Sequence, residues 1–117
     1  MTAVALSVAN NATWWSAPIA LRDQDDVILA LPEGTQIEMH VRQTATSQDL
    51  ALRLTLANGK IIMVNRDAAT VRLEVPASEM QNLSAGSYVC DIRVTQPSGR
   101  AHRAAYGTLI VQQGVTR

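Results

Sequence analysis

Residues 50–64 read LALRLTLANGKIIMV. Leu50, Leu52, Leu54 and Leu56 recur at a period of two, the spacing at which side chains share one face of a strand. Asn58-Gly59 follows at once. That dipeptide suits a two-residue hairpin turn, whose central residues both take positive φ. The stretch predicts a half-buried strand, a tight turn and a returning strand.

The same alternation extends on both sides. In residues 35–42, Ile37, Met39 and Val41 face one way, and Gln36, Glu38, His40 and Arg42 the other. In 70–75, Val71, Leu73 and Val75 alternate with Arg72 and Glu74, and in 88–95 Tyr88, Cys90, Ile92 and Val94 share a face. Residues 101–112 form a last long strand, where Gly107 predicts a bulge or the close approach of another backbone. Residues 2–8 suggest a first strand or ordered arm, broken at Asn10-Asn11. Residues 13–21 are extended, with Pro18 placing them at a sheet edge or a bulge. Residues 27–31 give a short apolar strand after the polar turn 22–26. Residues 76–83 are the one helical turn, with Ser78 and Gln81 at capping-box spacing, and it fits a crossover between two sheets. Pro97-Ser98-Gly99 makes a hairpin turn by composition. Seven to nine strands separated by frequent turns predict an all-β, immunoglobulin-like antiparallel β-sandwich with one short helical turn. Residues 1–12 are an N-terminal arm or edge strand, and 13–117 a single sandwich domain.

Composition narrows the function. Apolar residues make up 47% of 117, enough for one core, yet Phe is absent, so aliphatic side chains must fill it. Ten basic residues balance ten acidic ones, which argues against a binder of phosphate backbones and hence against a nucleic-acid partner. Lys60 is the only lysine among those ten. The preference for Arg fits either codon bias or interface use. Cys90 stands alone, so an intrachain disulfide is impossible, and it reads as a small inward apolar residue. The apolar start carries no basic residue ahead of it, unlike a signal peptide. No run is long enough for a membrane helix, and a soluble chain made in a reducing cytoplasm is expected.

Chemistry-bearing sets are sparse. His40 and His102 lie on polar strand faces with no second ligand at metal spacing, and read as solvated. Asp23, Asp25 and Asp26 lack the spacing of a calcium loop and read as a turn. No GxSxG, GxGxxG or P-loop occurs, so neither a catalytic set nor a cofactor is expected. Trp14-Trp15 is different. Neighbours on a strand point to opposite faces, so one indole enters the core and the other faces out, as an interface anchor or a cover over the sheet edge. The tail 111–117 is a frayed end or a segment that pairs with a neighbouring subunit. Trp14, Trp15, Val115, Thr116 and Arg117 are the candidate interface residues. The tyrosines are expected in or near the core.

Several of these residues together resemble a known pattern. It runs Trp15-x-x-Pro18-Ile19-x-Leu21-Arg22-Asp23, then Asn58-Gly59, then Leu83-x-x-Gly86-x-Tyr88-x-x-Asp91-Ile92. Ser98-Gly99-Arg100, Gly107-x-x-x-Val111 and Val115-Thr116-Arg117 close it. In this the chain resembles small structural proteins of tailed bacteriophages and prophages, and is similar to the N-terminal β-sandwich domain of phage baseplate upper proteins. The resemblance implies a non-enzymatic virion component in the tail, baseplate or fibre-attachment region. A capsid decoration protein and a carbohydrate- or receptor-binding sandwich are the alternatives. It implies other virion proteins as partners and homo-oligomers in the particle, while the lack of a long apolar run leads to the expectation of no membrane partner.

Overall fold

In the computed structural model, which describes residues 1–116, the two halves of the 50–64 stretch lie in different sheets. Along the chain come β1 (Thr2–Ala9), β2 (Trp14–Trp15), β3 (Ile19–Ala20), β4 (Gln36–Arg42), β5 (Leu52–Thr55), β6 (Ile61–Asn65), β7 (Thr70–Val75), the helical turn α1 (Ala77–Met80), β8 (Gly86–Thr95) and β9 (Ala101–Gln112). One sheet has the order β1-β9-β8-β4-β5. In the other, β7 is central, with β2 and β3 along one edge and β6 along the other. The two sheets form an immunoglobulin-like β-sandwich.

The predicted hairpin is therefore a corner. β5 pairs with β4, and β6 with β7. Only Gly59 of the central pair has positive φ, at 80°. Asn58 works through its side chain instead. Its Oδ1 accepts the backbone N–H groups of Thr55 and Lys60, each at 3.0 Å, while the Asn58 N–H donates to Thr55 Oγ1 at 2.9 Å. An Asx turn of this kind satisfies the backbone without pairing the flanking strands. Leu52 and Leu54 are buried as expected, but Leu50 lies outside the strand and is exposed.

Alternation decides the core elsewhere. Ile37, Met39 and Val41 from one sheet meet Val71, Leu73 and Val75 from the other, all at most 1% exposed. Tyr88, Cys90, Ile92 and Val94 join them from β8. Residues 27–31 do not form a strand. Leu29 and Leu31 are buried, but Val27 and Ile28 face solvent, and a single bridge between Arg22 and Ile28 is all the pairing there. α1 carries the chain from β7 to β8, across the sheets. Its N-cap is Pro76 with no side-chain cap, so Ser78 sits inside the helix and the capping box does not form. The Tyr88 hydroxyl donates to the Ser84 carbonyl at 2.6 Å, tying β8 to the corner it leaves, as in the tyrosine corner of this fold.

β2 and β3 are one edge strand interrupted at Ser16, Ala17 and Pro18. Pairing with β7 shifts by one residue across the gap. Ser16 Oγ bridges it by accepting the Leu73 N–H at 2.8 Å. β1 pairs with β9 in parallel, an exception to the antiparallel rule of the rest. The bulge in β9 falls at Ala104–Ala105, where the register with β8 shifts, not at Gly107. Gly107 meets the other expectation. A Cβ there would stand 1.8 Å from the Val4 carbonyl oxygen.

Candidate functional site

Side chains of β4, β8 and β9 that point away from the core share the outer face of the five-stranded sheet. The strand register sets them in cross-strand rows. One row runs Thr55, Glu38, Arg93, Arg103; the next runs Arg53, His40, Asp91, Tyr106. Directly opposed residues on one face are close enough to interact. A shallow concavity of about 500 Å³ lies over these rows.

Glu38 is its hub. Its Oε1 accepts Arg53 Nε at 2.7 Å and is 2.6 Å from His40 Nε2. Arg42 reaches His40 Nδ1 at 3.4 Å. Since Arg42 can only donate, the proton of a neutral imidazole belongs on Nε2, facing Glu38. Arg53, and after it His40, hold the Glu38 carboxyl down at about 2. A carboxylate so acidic is a poor general base near neutral pH. Arg42 is in turn tied to the carbonyls of Ser47 and Gln48. Across the face Arg103 is 3.4 Å from Asp91, and its guanidinium lies 5.2 Å from the centre of the Tyr106 ring. The arrangement is a lattice of ion pairs and hydrogen bonds with one aromatic ring beside it, able to hold polar groups.

His40 is thus engaged, not simply solvated. Tyr106 is 40% exposed, against the expectation that both tyrosines sit in or near the core. Alternation shows that Glu38, His40 and Arg42 share an outward face. It does not show that β8 and β9 bring Asp91, Arg103 and Tyr106 beside them, because register is written in pairings and not in any one strand. Among the described residues, no group of His, Cys, Asp and Glu side chains gathers as a metal site requires. Asp23 instead accepts the N–H groups of Asp25 and Val27 and shapes its own turn. Cys90 is buried, and burial pushes its thiol up to about 11.

The interface candidates fall elsewhere. Trp14 is 5% exposed and Trp15 54%, the inward–outward split expected of strand neighbours. Arg72 lies over the Trp15 ring, 3.7 Å from its centre, a cation–π contact. Val115 is 91% exposed. The tail lies against the 10–11 turn. Gly114 N–H donates to Asn10 Oδ1 at 2.9 Å, and Asn11 Nδ2 to the Thr116 carbonyl at 2.9 Å. The tail is thus fixed to the 10–11 turn ahead of β2, whereas Trp15 stands on the second sheet beside Arg72 and Glu74. Arg117 lies outside the described residues.

No protein-family model matches the chain, and no curated protein matches it. Solved structures similar to it include CopC from Methylosinus trichosporium OB3b, at 13% identity and a TM-score of 0.41 over 90% of this chain and 98% of that one. AggA, the major subunit of aggregative adherence fimbriae type I from Escherichia coli, matches at 16% identity and a TM-score of 0.35, covering 96% and 91%. Extracellular domains 3–5 of Drosophila OTK match at 14% and 0.33, where the chain covers 97% of itself but 33% of that chain. None of the three is a phage baseplate protein.

Proposed function

We propose that this chain is a non-enzymatic structural component of a phage virion, a connector in the tail, baseplate or fibre-attachment region. A capsid decoration role is the other placement within the same class. The resemblance in sequence pattern supports the reading, and one observation carries it. Trp15 stands out of the second sheet with Arg72 spread over its ring. Tryptophan and arginine are, with tyrosine, the side chains enriched among residues that anchor protein partners. The working surface then centres on Trp15, with the exposed tail at Val115 and Thr116 as a second contact, and the partners are other virion proteins or further copies of the chain.

The test is to induce particles from the strain that carries the gene, purify them by density gradient and measure their protein content by mass spectrometry. Incorporation at a fixed copy number per particle is the expected result. Recovery in the soluble lysate alone would sink the reading. Trp15→Ala should deplete the chain from particles while circular dichroism shows the fold retained. Labelled chain found on tails or on heads separates the two placements.

Tyr106 favours a second reading, a carbohydrate- or receptor-binding module. Sugars stack on exposed aromatic rings and hydrogen-bond to ionised neighbours, and Tyr106 offers both beside Asp91 and Arg103. A glycan array with the wild-type chain and Tyr106→Ala would show binding lost in the variant if this reading holds.

A further inference from the structure

The two ends of the five-stranded sheet are not alike. β5 is four residues long and carries Arg53. Short length and charge are the usual protections of a free strand edge. β1 is eight residues long, TAVALSVA, with no charge and no proline. Among the described residues its only strand partner is β9. Its other edge presents open backbone N–H and C=O groups.

This strand is also held in place. Thr2 Oγ1 donates to the Ala20 carbonyl at 2.6 Å at one end, and the Asn10 N–H donates to the Gln112 carbonyl at 3.1 Å at the other. Val4 and Leu6 face inward against the core, yet they are only partly buried, whereas the equivalent residues of β4 and β8 are almost completely covered. The inner sheet face runs out one strand too early for them. Ala3, Ala5 and Ser7 point outward, small and exposed.

We infer that β1 pairs with β1 of a second copy of this chain, antiparallel about a two-fold axis, joining two five-stranded sheets into one of ten strands. The occupant is a second copy because the edge matches itself. Two-fold antiparallel pairing sets Ala and Ser against Ala and Ser on one face, and Val and Leu against Val and Leu on the other. No like charges meet, and the formal net charge of zero leaves no long-range repulsion between copies. The pairing caps both open edges and covers Val4 and Leu6. It rests on the assembly reading above and names one of its contacts.

Sedimentation of the full chain from about 1 µM to about 1 mM spans the range of weak and moderate affinities, and a monomer–dimer equilibrium is expected within it. Ala5→Lys, at an exposed outward position, should weaken association about tenfold or more by bringing like charges together at the edge. Oxidation of Ala3→Cys, Ala5→Cys and Ser7→Cys chains, alone and mixed in pairs, gives the geometry. Cross-links should form only between positions whose numbers share one sum, the mark of an antiparallel register. Cys90, buried, does not compete.

A chain monomeric to about 1 mM overturns the inference. So does a dimer that Ala5→Lys leaves intact and that cross-links with no register. In that last case copies still associate, through another surface such as Trp15, and the assembly reading survives. Particle content tests that reading separately.

Discussion

Leu54 is completely buried between the sheets on a strand only four residues long. A carboxylate there has no partner, and leaving it unpaired costs about 3 kcal/mol or more. Leu54→Asp should therefore lose its cooperative urea transition or shift it far down, and a variant that unfolds like the parent would place Leu54 on the wrong face. Glu38 acts oppositely, at the surface. Its carboxyl ionises at about 2 when folded, against an ordinary 4.5, so the folded state binds fewer protons than the unfolded chain between those values. The stabilisation it supplies is complete above 4.5 and fades as pH falls toward 2. Glu38→Gln should flatten that acid limb in urea midpoints measured down the pH scale. With the side chain 34% exposed, screening keeps the effect modest.

At the scale of elements, the corner after β5 and the first strand each depend on one small residue. Asn58→Ala removes the acceptor that closes the corner, and should cost about 1 kcal/mol in denaturant unfolding. Gly107→Ala drives a methyl group into the Val4 carbonyl, and one of the two strands must move. A loss of about 1–3 kcal/mol is expected, with amide protons of β1 losing protection by hydrogen exchange before those of β4 or β8.

These same places show what one chain's sequence discloses. The strands β4, β7 and β8 were legible because their alternation is uninterrupted, β9 because of its length despite the bulge at Ala104–Ala105, and so was the crossover helix, set between apolar strands by Pro76. Asn58-Gly59 misled because an Asx corner and a hairpin use the same residues. What separates them is the partner of β6, which only the packed sheets determine. The 27–31 segment misled because Leu29 and Leu31 alternate inward with no neighbouring strand to pair with. The outward face was half legible. Glu38, His40 and Arg42 follow from β4 alone, whereas Asp91, Arg103 and Tyr106 beside them depend on registers across three strands and a bulge at Ala104–Ala105.

The whole molecule is a single two-layer body with a Cα radius of gyration of 14.1 Å and extents of 44 × 28 × 20 Å. Its core draws on both sheets along their length, so local opening should expose little of it. Cys90 reports on that. It lies in the middle of β8, 5% exposed. Alkylation by iodoacetamide should therefore follow the same urea curve as circular dichroism. Labelling well before the transition would show that the sandwich opens in parts.

The parallel pairing of β1 with β9 places Thr2 beside Ala105 and Ala9 beside Gln112. The segment synthesised early thus waits for the one synthesised late. A nascent chain can build the β6–β7 pair while still on the ribosome, but the larger layer stays unfinished until β9 has emerged. A premature stop ahead of β9 would do more than trim a border. It would delete the rib between β1 and β8, and leave the opening segment as a sticky aliphatic ribbon with nothing to lie against.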